Sequence, residues 1–144
     1  GNLVGDFARE NLLSISPAGI AGAPYDIFIF DGNAAGAAGI GEMLIQSHEG
    51  YIEFLPCLPE QWNKGSYKGL CVRGGAEVSA DWNNSVINYA SVKATAANSF
   101  SIKIPQNKNK PYRILLNGKT IKTVPDTHRI ITIPMKAGDL LEIK

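Results

Sequence analysis

The sequence predicts a mainly β protein, in which a C-terminal antiparallel sandwich or jelly roll follows two helices. From residue 51 onward the hydrophobic period is two, and residues 76–82 alternate strictly between apolar and polar side chains, as in a strand with one buried face. Roughly seven or eight short segments of this kind are separated by closely spaced turns, which is typical of sandwiches. Asn117-Gly118 is the strongest hairpin signal among them.

Two helices are predicted before Gly50. Apolar residues recur at helical spacing over residues 3–13, and a Gly/Ala/Pro-rich run to Pro24 ends that helix. Residues 34–48 form a second apolar stripe with interior glycines at 36, 39 and 41. Each such glycine costs a helix about 1 kcal/mol relative to alanine. Glycines in a helix therefore indicate that another helix or a ligand packs very close to it. We therefore divide the chain into residues 1–50 and residues 51–144.

Composition limits the class of protein. The 144 residues are 44% hydrophobic and 19% charged, as in a folded domain. The net charge is +1 and the basic residues are scattered, which argues against the clustered positive surface that nucleic acids require. No apolar run is long enough to span a bilayer, so we expect neither a nucleic acid nor a membrane as partner. Cys57 and Cys71 lack metal-site spacing, and we expect no metal or cofactor.

Asp31 is the first candidate for chemistry. With Gly32 and Asn33 it forms a predicted turn and N-cap cluster at the start of the second helix, where the helix dipole favours an ionised carboxylate. The alternative is a plain N-cap, which contributes about 1 kcal/mol of stability and no chemistry. Glu42 lies about 16 Å farther along the helix axis, too far to act with Asp31 as an acid/base pair, and we interpret it as structural.

Trp62 is the second candidate. It lies in a proline-flanked loop, where an exposed aromatic ring is able to stack on a sugar ring. Trp82, in contrast, continues the apolar face of its strand, so we assign it to the core. Trp62 is therefore the predicted sugar-contacting aromatic residue.

Two groups of motifs resemble one known family. The first is Asp31-Gly32-Asn33, followed by Glu42-Met43-Leu44-Ile45-Gln46-Ser47-His48-Glu49-Gly50. The second is Leu55-Pro56-Cys57-Leu58-Pro59, Trp62, Gly65, Gly69-Leu70 and Arg73-Gly74-Gly75. In this order, over about residues 27–82, they resemble the C-terminal end of family-95 glycoside hydrolases, which are α-L-fucosidases with some members acting on α-galactosides.

The resemblance implies a fold and a mechanism. Family members have an (α/α)6 barrel followed by a small β-domain, so residues 1–50 would be the last helices of a truncated barrel and residues 51–144 the β-domain. These enzymes invert the anomeric centre with a Glu as general acid and an Asn, polarised by an Asp, that positions water. The Asp maps onto Asp31, and Asn33 beside it is assigned to substrate binding. No part of this chain matches the regions of the Glu and the catalytic Asn.

The resemblance also implies a secreted or periplasmic parent protein. The chain departs from the family's motif at two positions. The family usually reads Phe-Gln-Ile-Asp-Gly-Asn-Phe-Gly, whereas Ile29 replaces the polar residue here and Ala34 the aromatic one. A wall of the site has therefore changed.

Our first hypothesis is a C-terminal fragment of an inverting glycosidase, inactive by itself. Its partners would be the missing upstream barrel and, in the full-length protein, a fucosylated or galactosylated glycan. Apolar helix residues such as Phe7, Leu12 and Ile40 would be exposed, which promotes a homodimer or a helix pair folded onto the sheet. The alternative is a free-standing carbohydrate-binding sandwich that uses Trp62. A third hypothesis is a structural domain in which Asp31 is only a helix cap.

Overall fold

The computed structural model describes residues 15–16, 24, 27–28, 30–107 and 111–144. The chain divides into two compact units, residues 1–42 and residues 43–144. In the first unit, strands β1 (Ile15–Ser16) and β2 (Ile27–Phe28) pair in antiparallel fashion. Helix α1 (Phe30–Leu44) follows them, and its last two residues belong to the second unit.

Helix α1 corrects the sequence prediction at both ends. It begins at Phe30, so residues 31–33 form its first turn and are not a turn ahead of it. It ends at Leu44, because Ile45–Gln46 forms strand β3. Ile45 pairs with Phe54 and is buried in the core, and this burial of a β-branched residue in a sheet outweighs the helical spacing. The helix predicted over residues 3–13 lies outside the described residues.

The second unit is a two-sheet, sandwich-like structure, which confirms the mainly β prediction. Its further strands in chain order are β4 (Ile52–Phe54), β5 (Lys64–Val72), β6 (Ala76–Asn83), β7 (Val86–Ala94), β8 (Asn98–Lys103), β9 (Ile114–Leu116), β10 (Lys119–Thr120), β11 (Ile130–Met135) and β12 (Leu140–Ile143). One sheet has the order β10-β9-β12-β7-β6-β5 and the other the order β11-β8-β4-β3. The pairing of β4 with β8 is parallel, whereas the sequence predicted antiparallel pairing throughout. The direction of this pair depends on how strands far apart in the chain are arranged, which local patterns do not show.

The core lies between the two sheets. The alternation predicted for residues 76–82 is confirmed, because every second residue of β6 is buried, beginning with Ala76. Burying a large aliphatic side chain stabilises a fold by about 1.5–3 kcal/mol. The largest fully buried side chains come from both sheets: Val78, Val92, Ile102, Leu141 and Ile143.

Strand β5 lies at an edge of the six-stranded sheet and contains a bulge. Tyr67 pairs with Ala80 and Leu70 pairs with Val78, so β5 carries one extra residue between these pairs. Gly69 supplies the left-handed backbone that the bulge needs, with φ at 70°, and its N–H donates to Ser79 Oγ at 3.2 Å. The bulge resets the alternation, so Tyr67 and Leu70 both pack against the core. It also makes this edge less suited to pairing with another chain.

The Asn117-Gly118 hairpin is confirmed between β9 and β10, with φ of 50° and 76° at its two residues. The Asn117 side chain donates to Asp139 Oδ1 at 2.9 Å and accepts from the Leu140 N–H at 2.9 Å. Asp139 Oδ2 accepts from the Lys136 N–H at 2.7 Å. The hairpin is thereby joined to the turn between β11 and β12.

These hydrogen bonds predict a pH dependence. The side-chain bond from Asn117, followed by the backbone bond from Lys136, holds the pKa of Asp139 below its usual value of 3.8. Because the folded pKa is the lower one, this stabilisation is present above the unfolded pKa and is lost as the pH falls through the folded pKa. We expect Asp139→Asn to reduce the loss of stability as the pH falls below about 4, measured as urea midpoints. Parallel pH profiles of the variant and the original chain would contradict this expectation.

Candidate functional site

Asp31 and Asn33 lie in the first turn of α1. The backbone N–H groups of a first helical turn have no partner within the helix, and the helix dipole there favours a negative charge. A position in the first turn suits an ionised carboxylate, although the sequence predicted Asp31 in a capping turn ahead of the helix and not within it. The side chains of residues 31–33 lie outside the described residues, so the catalytic role of Asp31 and the substrate-binding role of Asn33 stay predictions.

The glycine-rich side of α1 is open within the described part of the chain. Residues 34–40 are exposed, and a Cβ atom built on Gly36, Gly39 or Gly41 would meet no described atom within 4 Å. Ile40 is 44% exposed, as predicted, whereas Phe7 and Leu12 lie outside the described residues. The close-packed neighbour that the glycines favour is therefore absent from the described residues.

Trp62 presents a solvent-exposed ring on a fixed backbone. It ends a 3₁₀ turn, Glu60–Trp62, and its side chain is 36% exposed. Its carbonyl oxygen accepts a hydrogen bond from Trp82 Nε1 at 2.7 Å. A partly exposed aromatic side chain on a fixed backbone is accessible for stacking on a sugar ring, and the sugar-contacting role of Trp62 stays a prediction.

Trp82 is buried, as predicted, and explains one residue of the second motif group. Its indole lies on Gly65, where a Cβ atom would come within 2.6 Å of Trp82 Cζ2. The Tyr67 ring lies 6.2 Å from it, centroid to centroid, and tilted by 53°. Gly65 is thus needed for close packing and has a structural reason to be present, whatever its part in function. The partner of the indole N–H is the backbone carbonyl of residue 62, which any residue would supply, so it does not explain the Trp62 side chain.

Tyr67 is a half-buried hydroxyl donor that the sequence analysis did not single out. Its hydroxyl donates to the Leu44 carbonyl oxygen at 3.4 Å, and that oxygen also accepts from the Leu55 N–H at 2.9 Å. Burial raises the pKa of Tyr67 well above its usual value of 10.0, so the phenol stays protonated at neutral pH. It supports the end of α1 and is unsuited to proton transfer there.

The Arg73-Gly74-Gly75 motif forms the turn between β5 and β6 of the six-stranded sheet, and it is hydrogen-bonded to the loop after β3 and to β8 of the four-stranded sheet. The Arg73 N–H donates to Ser47 Oγ at 3.1 Å, and Asn98 Nδ2 of the four-stranded sheet donates to the Gly74 carbonyl at 3.0 Å. The motif therefore holds one end of the sandwich together.

Three depressions lie along the four-stranded sheet, with volumes of about 190, 340 and 400 Å³. Tyr51 lines the two larger ones, and Lys103 and Arg129 line both the smallest and the largest. We name the surface formed by these three depressions the outer groove. Sequence reasoning missed it, because its residues come from separate strands and loops and no local motif marks them.

The described residues hold no group of three or more His, Cys, Asp or Glu side chains that could bind a metal ion. Within the same part of the chain, no helix has the length and apolar character needed to cross a membrane.

Comparison with known proteins identifies the sandwich. A sequence model of the glycoside hydrolase family 95 C-terminal domain matches residues 46–143, which is more than half of the chain. The chain belongs to this family. The family-95 resemblance of the motifs is thereby confirmed, and the matched range includes Trp62 but not Asp31 or Asn33.

A similar protein of known name supports the assignment of this chain to family 95. Alpha-L-fucosidase 2 of Arabidopsis thaliana is 43% identical over 56 residues, which are 38% of this chain and 7% of the plant protein. The chain thus spans a small fraction of the length of that relative.

Proposed function

We propose that this chain is the C-terminal part of an inverting glycoside hydrolase that removes terminal α-linked fucose or a related sugar from glycans. The observation that carries the proposal is the match of residues 46–143 to the family-95 C-terminal domain. The 7% share of the plant α-L-fucosidase supports a second part of the proposal, that the chain is inactive by itself, because most of such an enzyme would lie outside it.

In this proposal Asp31 acts through a neighbour. An ionised carboxylate accepts a hydrogen bond from the amide of an upstream Asn, which makes the amide oxygen a better acceptor for the proton of the attacking water. The upstream part also supplies the Glu that protonates the leaving group. Asn33 and Trp62 contact the sugar. The position of Asp31 in the first turn of α1 supports the role, because a helix N-terminus favours the charged form.

The proposal also names the neighbour of α1. Residues 1–50 would be the last helices of the catalytic barrel, with residues 51–144 as its β-domain. The open glycine-rich side of α1 supports close packing against an upstream helix, because glycines let two helix backbones approach closely. In the isolated chain the same side, with the exposed Ile40, would favour a homodimer.

Hydrolysis of an aryl α-L-fucoside tests this function. We expect the longer protein to release the aryl group and to form the β-anomer of fucose first, as followed by proton NMR. We expect no turnover from the 144-residue chain, with circular dichroism as the control that it is folded. Turnover by the chain alone would contradict its inactivity, and first formation of the α-anomer would contradict inversion.

A second candidate function is carbohydrate binding by the sandwich itself. The observation that favours it is that Trp62 is 36% exposed, which leaves part of an aromatic side chain accessible to a sugar. In that case the isolated chain binds a glycan without hydrolysing it.

A further inference from the structure

The three depressions of the outer groove share lining residues. Tyr51 lines both the middle one and the largest one, and Lys103 and Arg129 line both the largest one and the smallest one. The smallest one also reaches Ile87 of the six-stranded sheet. The two larger depressions fall in the range of about 300–1,000 Å³ that is usual for small-molecule sites. Depressions that share their walls suit a ligand of several linked units better than a single compact one.

The lining of the outer groove is positively charged. It includes three cationic side chains, Arg73, Lys103 and Arg129, and one carboxylate, Glu53. Lys103 Nζ lies 2.7 Å from Glu53 Oε1, so this pair is internally compensated. Neither arginine forms an ion pair with a described carboxylate. The chain as a whole carries a net charge of only +1, so the two arginines are a local excess of positive charge.

Arg129 is held in place by its own loop. Its backbone has φ at 65°, a conformation uncommon for a large side chain. Its N–H donates to the Asp126 carbonyl at 2.9 Å, and Asp126 Oδ1 accepts the N–H groups of His128 and Ile130, each at 2.8 Å. Arg129 Nη1 donates to the Ile104 carbonyl at 3.2 Å. A strained residue fixed by this many bonds is often functional, and four of the five guanidinium N–H donors have no described partner.

The groove also carries an aromatic ring and hydroxyl groups. Tyr51 is half-buried, and Lys103 Nζ lies 5.4 Å from the centre of its ring. In β8, Ser99, Ser101 and Lys103 alternate with buried residues and therefore face outward. An aromatic face beside hydroxyl and cationic donors matches a sugar ring that bears an anionic group.

We propose that the outer groove binds an anionic oligosaccharide, one whose sugar rings carry carboxylate or sulfate groups. Arg129 and Arg73 contact the anionic groups, and Tyr51 contacts a ring face. The proposal relies on the membership of the chain in a glycoside hydrolase family and on the groove, and it is independent of any catalytic role of Asp31. It adds a binding surface for charged glycans to the β-domain.

Calorimetric titration of the 144-residue chain tests the proposal. The probes are an oligogalacturonate, a sulfated galactan oligosaccharide and a neutral galactan oligosaccharide of the same length. We expect at least one anionic probe to bind at least about tenfold more tightly than the neutral one, and the binding to weaken with added salt. Comparison of the two anionic probes distinguishes carboxylate from sulfate. Binding of neither anionic probe would overturn the proposal.

Arg129→Asn is the discriminating variant. Asparagine tolerates positive φ, so the substitution removes the guanidinium and preserves the loop. We expect it to weaken binding by about tenfold or more, because hydrogen bonds to a charged group are the strong ones. Lys93→Gln is the matched control, because it removes one positive charge from an exposed residue of β7 in the other sheet. It should leave binding within about twofold.

Other outcomes assign the surface differently. Equal weakening by the two variants, or no weakening by Arg129→Asn, would show non-specific attraction and overturn the proposal. An acidic peptide such as oligoglutamate that binds as tightly as the anionic sugars would assign the groove to a protein segment. A dimer that Arg129→Asn dissociates in sedimentation experiments, without sugar binding, would assign it to a second copy of the chain.

Discussion

Trp82→Ala is expected to lower the free energy of unfolding of the 144-residue chain by about 3–5 kcal/mol. The indole is only 5% exposed and packs on Gly65 and the Tyr67 ring. Its removal leaves a cavity between the sheets and deprives the Trp62 carbonyl of its 2.7 Å hydrogen bond. A typical domain is stable by about 5–15 kcal/mol, so the loss would be a large part of the total. Urea unfolding followed by circular dichroism measures it.

Trp62→Ala is the matched control for this experiment. It removes the same kind of side chain from a position that is 36% exposed, and it leaves the carbonyl that the Trp82 indole needs. We expect a clearly smaller loss than for Trp82→Ala, because Trp62 has less apolar surface to lose from contact with the protein. Gly65→Ala should give an intermediate loss of about 1–3 kcal/mol, because its Cβ atom would lie 2.6 Å from Trp82 Cζ2. Similar losses from the two tryptophan variants would contradict the assignment of Trp82 to the core.

Asp31→Asn, introduced into the longer enzyme of which we propose this chain to be the C-terminal part, is expected to lower kcat by about a hundredfold to ten-thousandfold. This is the size of effect typical of losing general acid–base assistance, and it follows from the proposed polarisation of a water-positioning Asn by the Asp31 carboxylate. The substitution keeps the shape of the side chain and removes its charge. Steady-state kinetics on an aryl α-L-fucoside measures the change, and KM should move much less than kcat.

Glu42→Gln is the control for the Asp31 experiment, because it removes a carboxylate from a later turn of the same helix. We expect its kcat to stay within about twofold of the original value, since Glu42 is assigned a structural role. If Asp31→Asn changes only the melting temperature and leaves kcat intact, Asp31 has no part in the chemistry and stabilises the helix alone.

Patterns within a few neighbouring residues correctly predicted the strands and turns that such residues determine by themselves. The alternation in β6 and the Asn117-Gly118 hairpin both follow from which residues tolerate one buried face or a positive φ, and both were confirmed. The family motifs could also be recognised in the sequence, because they are short and follow one another in a fixed order along the chain. The end of α1 was predicted wrongly, because the helical spacing of residues 45–48 continues past the point where Ile45 joins the sheet.

The candidate sites divide in the same way. Asp31, Asn33 and Trp62 were found because they lie in contiguous motifs. The outer groove was missed, because Tyr51, Lys103 and Arg129 are brought together only by the pairing of distant strands. Lys103 pairs with Ile130 in one neighbouring strand and with Glu53 in the other. No spacing rule along a single segment could have joined them.

The sequence by itself determined the class of this protein, most of its strands and its family. These features rest on side-chain periodicity, turn chemistry and ordered motifs, which act over a few residues at a time. Tertiary structure alone decided the parallel pairing of β4 with β8, the packing of Trp82 on Gly65 and the charged lining of the outer groove. Each of these depends on contacts between residues far apart in the chain, and their energies become available only when the sheets assemble.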